Sequence, residues 1–371
     1  MKTKIAIACQ GGGSQTAFTA GVLKALCEAG LQDEFEFVGI SGTSGGALCA
    51  TLVWYALHKG EQPIWQRLIA FWRDNTAQTF MERMINDTII KSIRMVNHGV
   101  LPMLQISPSS SLIQAAGQFA AVGQRQEYCD FSTLLRRHID FDEIASWGPE
   151  PTAPVLIVGA ASVLSGELRK FNSSKEVIRI EHILASAAVP NLFTAVDVDG
   201  DALWDGLFSD NPPLDDLVRK TQVGAGNVPD ELWIIKINPT TCENAPLAPE
   251  EIADRRNQLE GNVSIFQNLK WIELINDLIL QDAFQPNFLA HFEIPHPVRI
   301  PKGLALGPDK PYHIPWIEMS EEVQRSLNYE SKIDRSPKNI EMLITHGEER
   351  GRAFLAERAR RVDATGAFSF T

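Results

Sequence analysis

Between Phe37 and Leu48 the chain reads Phe-Val-Gly-Ile-Ser-Gly-Thr-Ser-Gly-Gly-Ala-Leu: an apolar run, a corner built of glycines, and a segment that continues through Ala50, Leu52, Val53 and Leu57. That order predicts a strand, a tight turn and a helix. Gly42, Ser44 and Gly46 match the G-x-S-x-G pattern, in which a serine on a strained strand-to-helix turn presents its hydroxyl. Glycines on either side let the chain turn and let another group come close. The helix that follows aims its positive end at the serine, where an oxyanion would form. Ser41 fits less well, because Thr43 rather than glycine stands two residues on. The competing reading of the corner is a glycine-rich turn with an incidental serine.

The flanking sequence extends this unit. Lys4–Ala8 predicts a buried strand that runs into Gly11-Gly12-Gly13, then a helix with Phe18, Val22, Leu23 and Leu26 at helical spacing, stopped by Gly30. Strand–loop–helix–strand–loop–helix implies parallel strands and an α/β fold, whose ligands gather at the carboxyl ends of the strands. Both glycine loops fall there. The triple glycine is no P-loop, and Thr16 stands where a dinucleotide fingerprint has its third glycine. Its amides suit an anion nest, or simply a tight turn.

From Pro63 to Ile144 the chain reads as helical and irregular. Trp65, Leu68, Ile69 and Trp72 share one face, and Met81, Met84, Ile85, Ile89 and Ile93 predict a second amphipathic helix packed on the core. The alternative for this stretch is a lid or lipid-facing insertion, with the uncharged run Met95–Gln124 as its moving part. Strands follow at Pro154–Val163, at Leu168–Phe171 after a turn at Ser165-Gly166-Glu167, and at Leu232–Ile237. A small-residue helix at Ile183–Val189 precedes Ala202-Leu203-Trp204-Asp205-Gly206. Helices are expected at Pro249–Leu280 and Pro337–Arg360, and late strands at His291–Ile294 and His313–Ile317.

Charge narrows the partners. A net charge of -12 argues against nucleic acid and against non-specific adhesion to anionic lipid. Cys9, Cys27, Cys49, Cys129 and Cys242 form no C-x-x-C pair, which fits a reducing compartment. The apolar run after Lys2 and Lys4 is too short for a signal peptide, and no stretch reads as a membrane span. No metal-ligand pattern appears, and Asp199, Asp201 and Asp205 lack the glutamate of a calcium loop. The expectation is a cytoplasmic chain without cofactor or metal, peripheral contact with a membrane or lipid surface being the alternative.

Three features now stand in one order: the triple glycine after the first strand, Gly42-Thr43-Ser44-Gly45-Gly46 after the second, and Ala185-Ser186-Ala187-Ala188-Val189-Pro190 ahead of Asp205-Gly206. Together they resemble the patatin-like phospholipase family, over residues 4–215 and more weakly across 63–144. The resemblance implies a three-layer α/β/α sandwich with a mainly parallel central sheet, a helical insertion and a helical C-terminal region. It implies one domain over 1–371: a core at 1–60 and 150–240, an insertion or lid at 63–145 and an extension at 245–371. It also implies hydrolysis of lipid acyl esters by a Ser–Asp dyad without histidine. Position by position, Ser44 matches the nucleophile, Asp205 its partner, and Gly11, Gly12 and Gly13 the oxyanion loop. Gln15 and Thr16 replace the family's usual Arg or Lys and Gly, and Leu207 replaces a Gly or Ala.

A serine hydroxyl needs a base, and an aspartate becomes one when burial raises its pKa. Trp204 and Leu207 are the expected apolar wall beside Asp205, with Asp210 the nearest competing carboxylate. The expected activity is a lipase or phospholipase A-type esterase acting through an acyl-enzyme. One rival is an α/β-hydrolase triad using His291, His296, His313 or His346. Others are an acyltransferase, and a non-catalytic lipid-surface or partner-binding module on the same fold.

Overall fold

The computed structural model describes residues 2–102, 107–190, 192–291 and 314–366. Its centre is an eight-stranded sheet in the order β5-β6-β3-β2-β1-β7-β8, with β4 also paired to β3. The strands are β1 (Thr3–Cys9), β2 (Phe35–Thr43), β3 (Val155–Ser162), β4 (Leu168–Asn172), β5 (Val196–Val198), β6 (Asp201–Asp205), β7 (Glu231–Lys236) and β8 (Trp316–Glu318). β3, β2, β1, β7 and β8 run parallel, while β4 and β6 lie antiparallel to β3. The helices that matter here are α1 (Ala17–Glu28), α2 (Gly45–His58), α3 (Gln66–Asp74), α4 (Phe80–Asn97), α5 (Ser111–Ala121), α6 (Phe131–His138), α7 (Phe141–Trp147), α8 (Ile180–Ser186), α9 (Pro249–Leu280) and α10 (Pro337–Gly366).

Alternation along the strands sorts the core into two layers. Ile5, Ile7 and Cys9 of β1, with Leu156 and Val158 of β3 and Trp233 and Ile235 of β7, face the larger cluster, which takes in α1, α2, α3 and α10. Ala6, Ala8, Val155, Ile157, Leu232 and Ile234 face a smaller one built on Leu214, Leu217 and, from α9, Ile265 and Ile272. A sheet covered on both faces needs strands that are apolar throughout, which is how β1 and β7 read in the sequence. The expected α/β/α layering and helical C-terminal region are therefore present.

The C-terminal region is joined to the sheet. β8 pairs with β7, and α10 lies along α1. Two glycines permit that approach: a methyl on Gly21 would sit 2.0 Å from the Ile344 carbonyl oxygen, and one on Gly347 would sit 2.1 Å from that of Phe18. The strand expected at His291–Ile294 begins instead on the last residue of a short helix, Pro286–His291, and its other residues, like His296 and His313, lie outside the described residues.

One amphipathic helix is turned over relative to expectation. α3 buries Leu68, Ile69 and Trp72 as predicted, but α4 exposes Met81, Met84 and Ile89 and buries Glu82 and Asn86. Its inward polar groups are satisfied by remote partners: Arg125 Nε donates to Glu82 Oε1 at 3.0 Å, and Asn86 Nδ2 donates to Asp334 Oδ1 at 3.0 Å while its Oδ1 accepts from Arg335 N at 2.9 Å. Hydrophobic spacing could not reveal partners 43 and 248 residues away. Among the described residues no helix is long and apolar enough to cross a membrane.

Substituting Gly21→Ala should force α1 and α10 apart and cost about 1–3 kcal/mol by overpacking. Urea denaturation measures this; an unshifted midpoint would mean that the two helices are not in contact in solution.

Candidate active site

β3 is the template that brings two distant strand ends together. Along one edge it pairs with β4, Ala160 opposite Arg169 and Ala161 opposite Leu168. Along the other edge it carries β2 up to the pair Gly159–Thr43, and from the next residue it carries β6, Ala160 opposite Asp205. β2 is parallel and β6 antiparallel to β3, so their carboxyl ends meet head to head. Ser44 follows Thr43 directly, and Asp205 is the last residue of β6. The contact is tight: a methyl on Gly206 would lie 2.5 Å from Gly159 O and 2.8 Å from Thr43 Cγ2.

Ser44 occupies the corner between β2 and α2 with φ 54 and ψ -129, a strained conformation for a residue with a side chain. A serine before a helix commonly caps it, but this side chain makes no capping bond. Its hydroxyl is thus unspent at the positive end of a 14-residue helix. The Ser44 amide donates to Ser186 Oγ at 3.0 Å, which ties the corner to α8. The turn closes only because Gly42 and Gly46 lack side chains: a methyl on Gly42 would stand 2.5 Å from Gly46 O, and one on Gly46 would stand 2.2 Å from Cys9 O.

Asp205 is 1% exposed. Its Oδ1 accepts from Leu207 N at 2.8 Å, its own amide donates to Ala188 O at 3.0 Å, and its Oδ2 is buried without a hydrogen-bond partner. Burial pushes the carboxyl up from an ordinary 3.8 to about 7, opposed by the Ser44 hydroxyl and the Leu207 amide, which favour the charged form. Ser44 is therefore close enough to act on the carboxylate, yet no bond of full hydrogen-bonding geometry joins them. The dry setting does not come from Trp204 as expected, since alternation along β6 sends that side chain to the opposite face from Asp205. Leu207 contributes its amide.

The glycine loop abuts this pair. A methyl on Gly11 would sit 2.9 Å from Ser44 Cβ and 2.6 Å from Thr43 O. Gly11 itself is not a free donor, contrary to expectation: its amide donates to Asn211 Oδ1 at 2.6 Å. The amides of Gly12 and Gly13 have no acceptor among the described residues. Neither does that of Gly45, which as the first residue of α2 has no carbonyl behind it to bond. A methyl on Gly45 would lie 2.9 Å from Gly13 O, so the two amide-bearing turns are in contact.

The other candidates are otherwise engaged. The Ser41 hydroxyl donates to Pro213 O at 2.5 Å. Asp210 is 2.8 Å from the Lys170 ammonium, which also pairs with Asp215 at 3.2 Å and with Asp216, and it accepts from Asn268 Nδ2 at 3.1 Å. His346 Nε2 accepts from Ser320 N at 3.0 Å, and His291 is exposed at the end of its helix. Among the described residues no histidine bonds to Ser44 or Asp205. Gln15 is buried, its Nε2 donating to Ser331 Oγ at 2.7 Å and to Asn328 O at 3.2 Å. It anchors the loop where the family usually has a cation.

Three residues of this arrangement were not singled out in the sequence. Gly45 had a signal, because the amide after a G-x-S-x-G serine is a known oxyanion donor. Ser186 stood inside the Ala-Ser-Ala-Ala segment with no role attached, and Asn211 had no signal: each acts on a backbone group brought to it by the sheet. Asn211 is itself braced, its amide donating to Ser264 Oγ at 2.9 Å on α9.

A family model described as patatin-like phospholipase matches residues 7–218, more than half of the 371-residue chain. The chain is also similar to the crystal structure of VipD from Legionella pneumophila, at 12% identity and a TM-score of 0.40 over 96% of this chain and 67% of that one. No curated protein matches it.

A carboxyl raised by burial destabilises the fold where it is driven to ionise. The penalty is absent below about 3.8, grows as pH rises and is complete above about 7. Asp205→Asn should therefore melt higher than wild type on the alkaline side of that window, with the difference vanishing toward its acid end. A melting-temperature difference independent of pH would refute the raised carboxyl.

Proposed function

Because this chain belongs to the patatin-like phospholipase family, whose members are hydrolases acting on lipid esters, we propose that it cleaves lipid acyl esters with Ser44 as nucleophile and Asp205 as general base. The observation that carries this reading is the shared edge of β3, which sets an uncapped serine hydroxyl at the end of β2 against a buried, half-satisfied carboxylate at the end of β6.

In the first step the Ser44 Oγ proton passes to Asp205 as Oγ bonds to the ester carbonyl carbon. The carbonyl oxygen takes the electron pair and is held by amides of Gly12, Gly13 and Gly45 at the end of α2. Collapse of this intermediate breaks the bond to the leaving alcohol, which receives the proton from Asp205. Asp205 then takes a proton from water, whose oxygen attacks the acyl-enzyme, and the second collapse frees the fatty acid and returns the proton to Ser44. A carboxylate with an ordinary pKa would be too weak a base for this sequence. One raised to about 7 is matched to neutral operation. An alcohol in place of the water would give acyl transfer, so the same geometry serves both outcomes. Gln15 anchors the glycine loop and does not impede it, which weakens the non-catalytic reading.

Ser44→Ala should abolish ester hydrolysis and labelling by a fluorophosphonate probe, and Asp205→Asn should lower kcat by about 10²–10⁴-fold. Retained hydrolysis in either variant would overturn the proposal. The wild-type kcat/KM should rise with pH and level off above an inflection near 7, since only the ionised Asp205 accepts a proton; a profile flat across that range would remove Asp205 as the base. Gly11→Ala, which drives a methyl into Thr43 O and Ser44 Cβ, should lower kcat by about 10²-fold or more, the scale of a lost oxyanion donor.

A further inference from the structure

The glycine loop has an outer face as well as the inner one that meets Ser44, and remote parts of the chain build it. A methyl on Gly12 would lie 2.6 Å from Ile237 Cγ2, just past β7, and one on Gly13 would lie 2.2 Å from the Lys332 carbonyl oxygen. Lys332 ends a single helical turn, Glu330–Lys332, that Gln15 Nε2 grips through Ser331 Oγ at 2.7 Å. The amides offered to the oxyanion therefore rest on Ile237 and Lys332.

The Lys332 side chain joins those two supports. Its Nζ donates to Asn238 Oδ1 at 2.7 Å and to Asn257 Oδ1 on α9. Asn238 follows Ile237, and the amides of both donate to Gln10 Oε1, at 2.9 and 2.7 Å, one residue ahead of Gly11. One ammonium thus links the end of β7, α9 and the turn against Gly13. Both acceptors are neutral amide oxygens, and among the described residues no carboxylate pairs with this lysine. Bonds from a charged donor are about twice as strong as neutral ones, so the link is firm while Lys332 is protonated and weak once it is not.

The surroundings decide where that change falls. Around the ammonium lie Asp254 of α9 and, on its own turn, Tyr329 and the buried Glu330. The glycine loop, the end of β7 and the 319–328 segment present Gln15, Asn238, Gln324 and Asn328, none of which titrates. Arg255 of α9 donates instead to Thr240 O, and Lys236 of β7 pairs with Glu318. Desolvation pulls the Lys332 ammonium down from an ordinary 10.5 to about 8, with Asp254 opposing. We propose that Lys332 is a positioning residue for the hydrolysis above: its ammonium braces the outer face of the glycine loop, so that the Gly12 and Gly13 amides stay on the oxyanion. The proposal rests on the esterase reading and adds to it a residue that acts only through the loop.

Lys332→Met keeps much of the side chain and removes its charge. It should lower kcat by about 10²-fold, the scale of a misplacement of about 1 Å, with KM little changed. In wild type the level reached above the Asp205 inflection should decline as pH passes about 8. That decline should be absent from Lys332→Met and moved to higher pH in Asn257→Asp, whose carboxylate would favour the charged lysine. Between about 8 and 10.5 the folded chain holds fewer protons on this group than the unfolded chain, so its titration strengthens the fold as pH rises. Activity lost in that window is then lost positioning, which a merely structural lysine would not produce. Asn257→Asp leaves the lysine in place, so it decides the question even where Lys332→Met does not fold. Wild-type kcat in Lys332→Met, or a decline at the wild-type pH in Asn257→Asp, would overturn the proposal. Amide hydrogen exchange over residues 10–16 reads the loop without any substrate. Faster exchange in Lys332→Met, with neither protein hydrolysing an ester, would uphold the brace and sink the esterase reading. Hydrolysis and exchange both unchanged in Lys332→Met would do the reverse.

Discussion

The step from Gly159 to Ala160 is the point on which the site depends. At Gly159 the edge of β3 is still paired with β2; at Ala160 it has passed to β6 running the other way. The amides at the two strand ends are bonded, Ser44 N to Ser186 Oγ and Asp205 N to Ala188 O, so the strands abut inside the sheet. Ser44, just past the end of β2, and Asp205, the last residue of β6, are therefore neighbours. Nothing else in the fold needs to aim them at each other.

What surrounds that junction holds it against its own strain. Ser44 keeps a backbone conformation that side chains disfavour, and Asp205 keeps a carboxyl that burial makes reluctant to ionise. Neither would persist in a loose loop. They persist because hydroxyls on β2 reach the 210–213 turn, Ser41 to Pro213 O and Thr43 to Asp210 O, each at 2.5 Å. That turn is itself gripped by Lys170 through Asp210, by α9 through Ser264, and by the glycine loop through Asn211. The three carboxylates Asp210, Asp215 and Asp216 lie close enough to hold an ion, but the Lys170 ammonium sits among them and neutralises part of their charge. It raises the cohesion of a turn that touches both glycine loops.

The same economy of contact explains the glycines. Gly11 against Thr43 and Gly46 against Cys9 are places where main chain meets main chain with no room for a methyl. The loops are thus rigid because they are crowded, and amides held in a crowded turn need no reorganisation when charge develops beside them. By contrast α4 is turned by the polar groups it must bond inward, which leaves Met81 and Met84 facing out, while α9 buries Ile265 and Ile272 beside its inward Asn262 and Ser264.

The sequence by itself determined the layered fold and the order of its parts. Apolar runs in β1, β2, β3 and β7 with glycine loops at two carboxyl ends require parallel strands, and these signals are local, carried by neighbours along the chain. It also determined Ser44, because the turn that strains it is written in five adjacent residues. It points to Asp205 only through the family resemblance, with Asp210 as its competitor; the tertiary structure decided that Asp205 lies beside that serine while Asp210 is held by Lys170, that Asn211 takes the Gly11 amide, and that α4 turns its methionines outward. Each of those outcomes rests on hydrogen bonds or ion pairs between residues tens to hundreds of positions apart, and periodicity and turn chemistry carry no information about partners that far away.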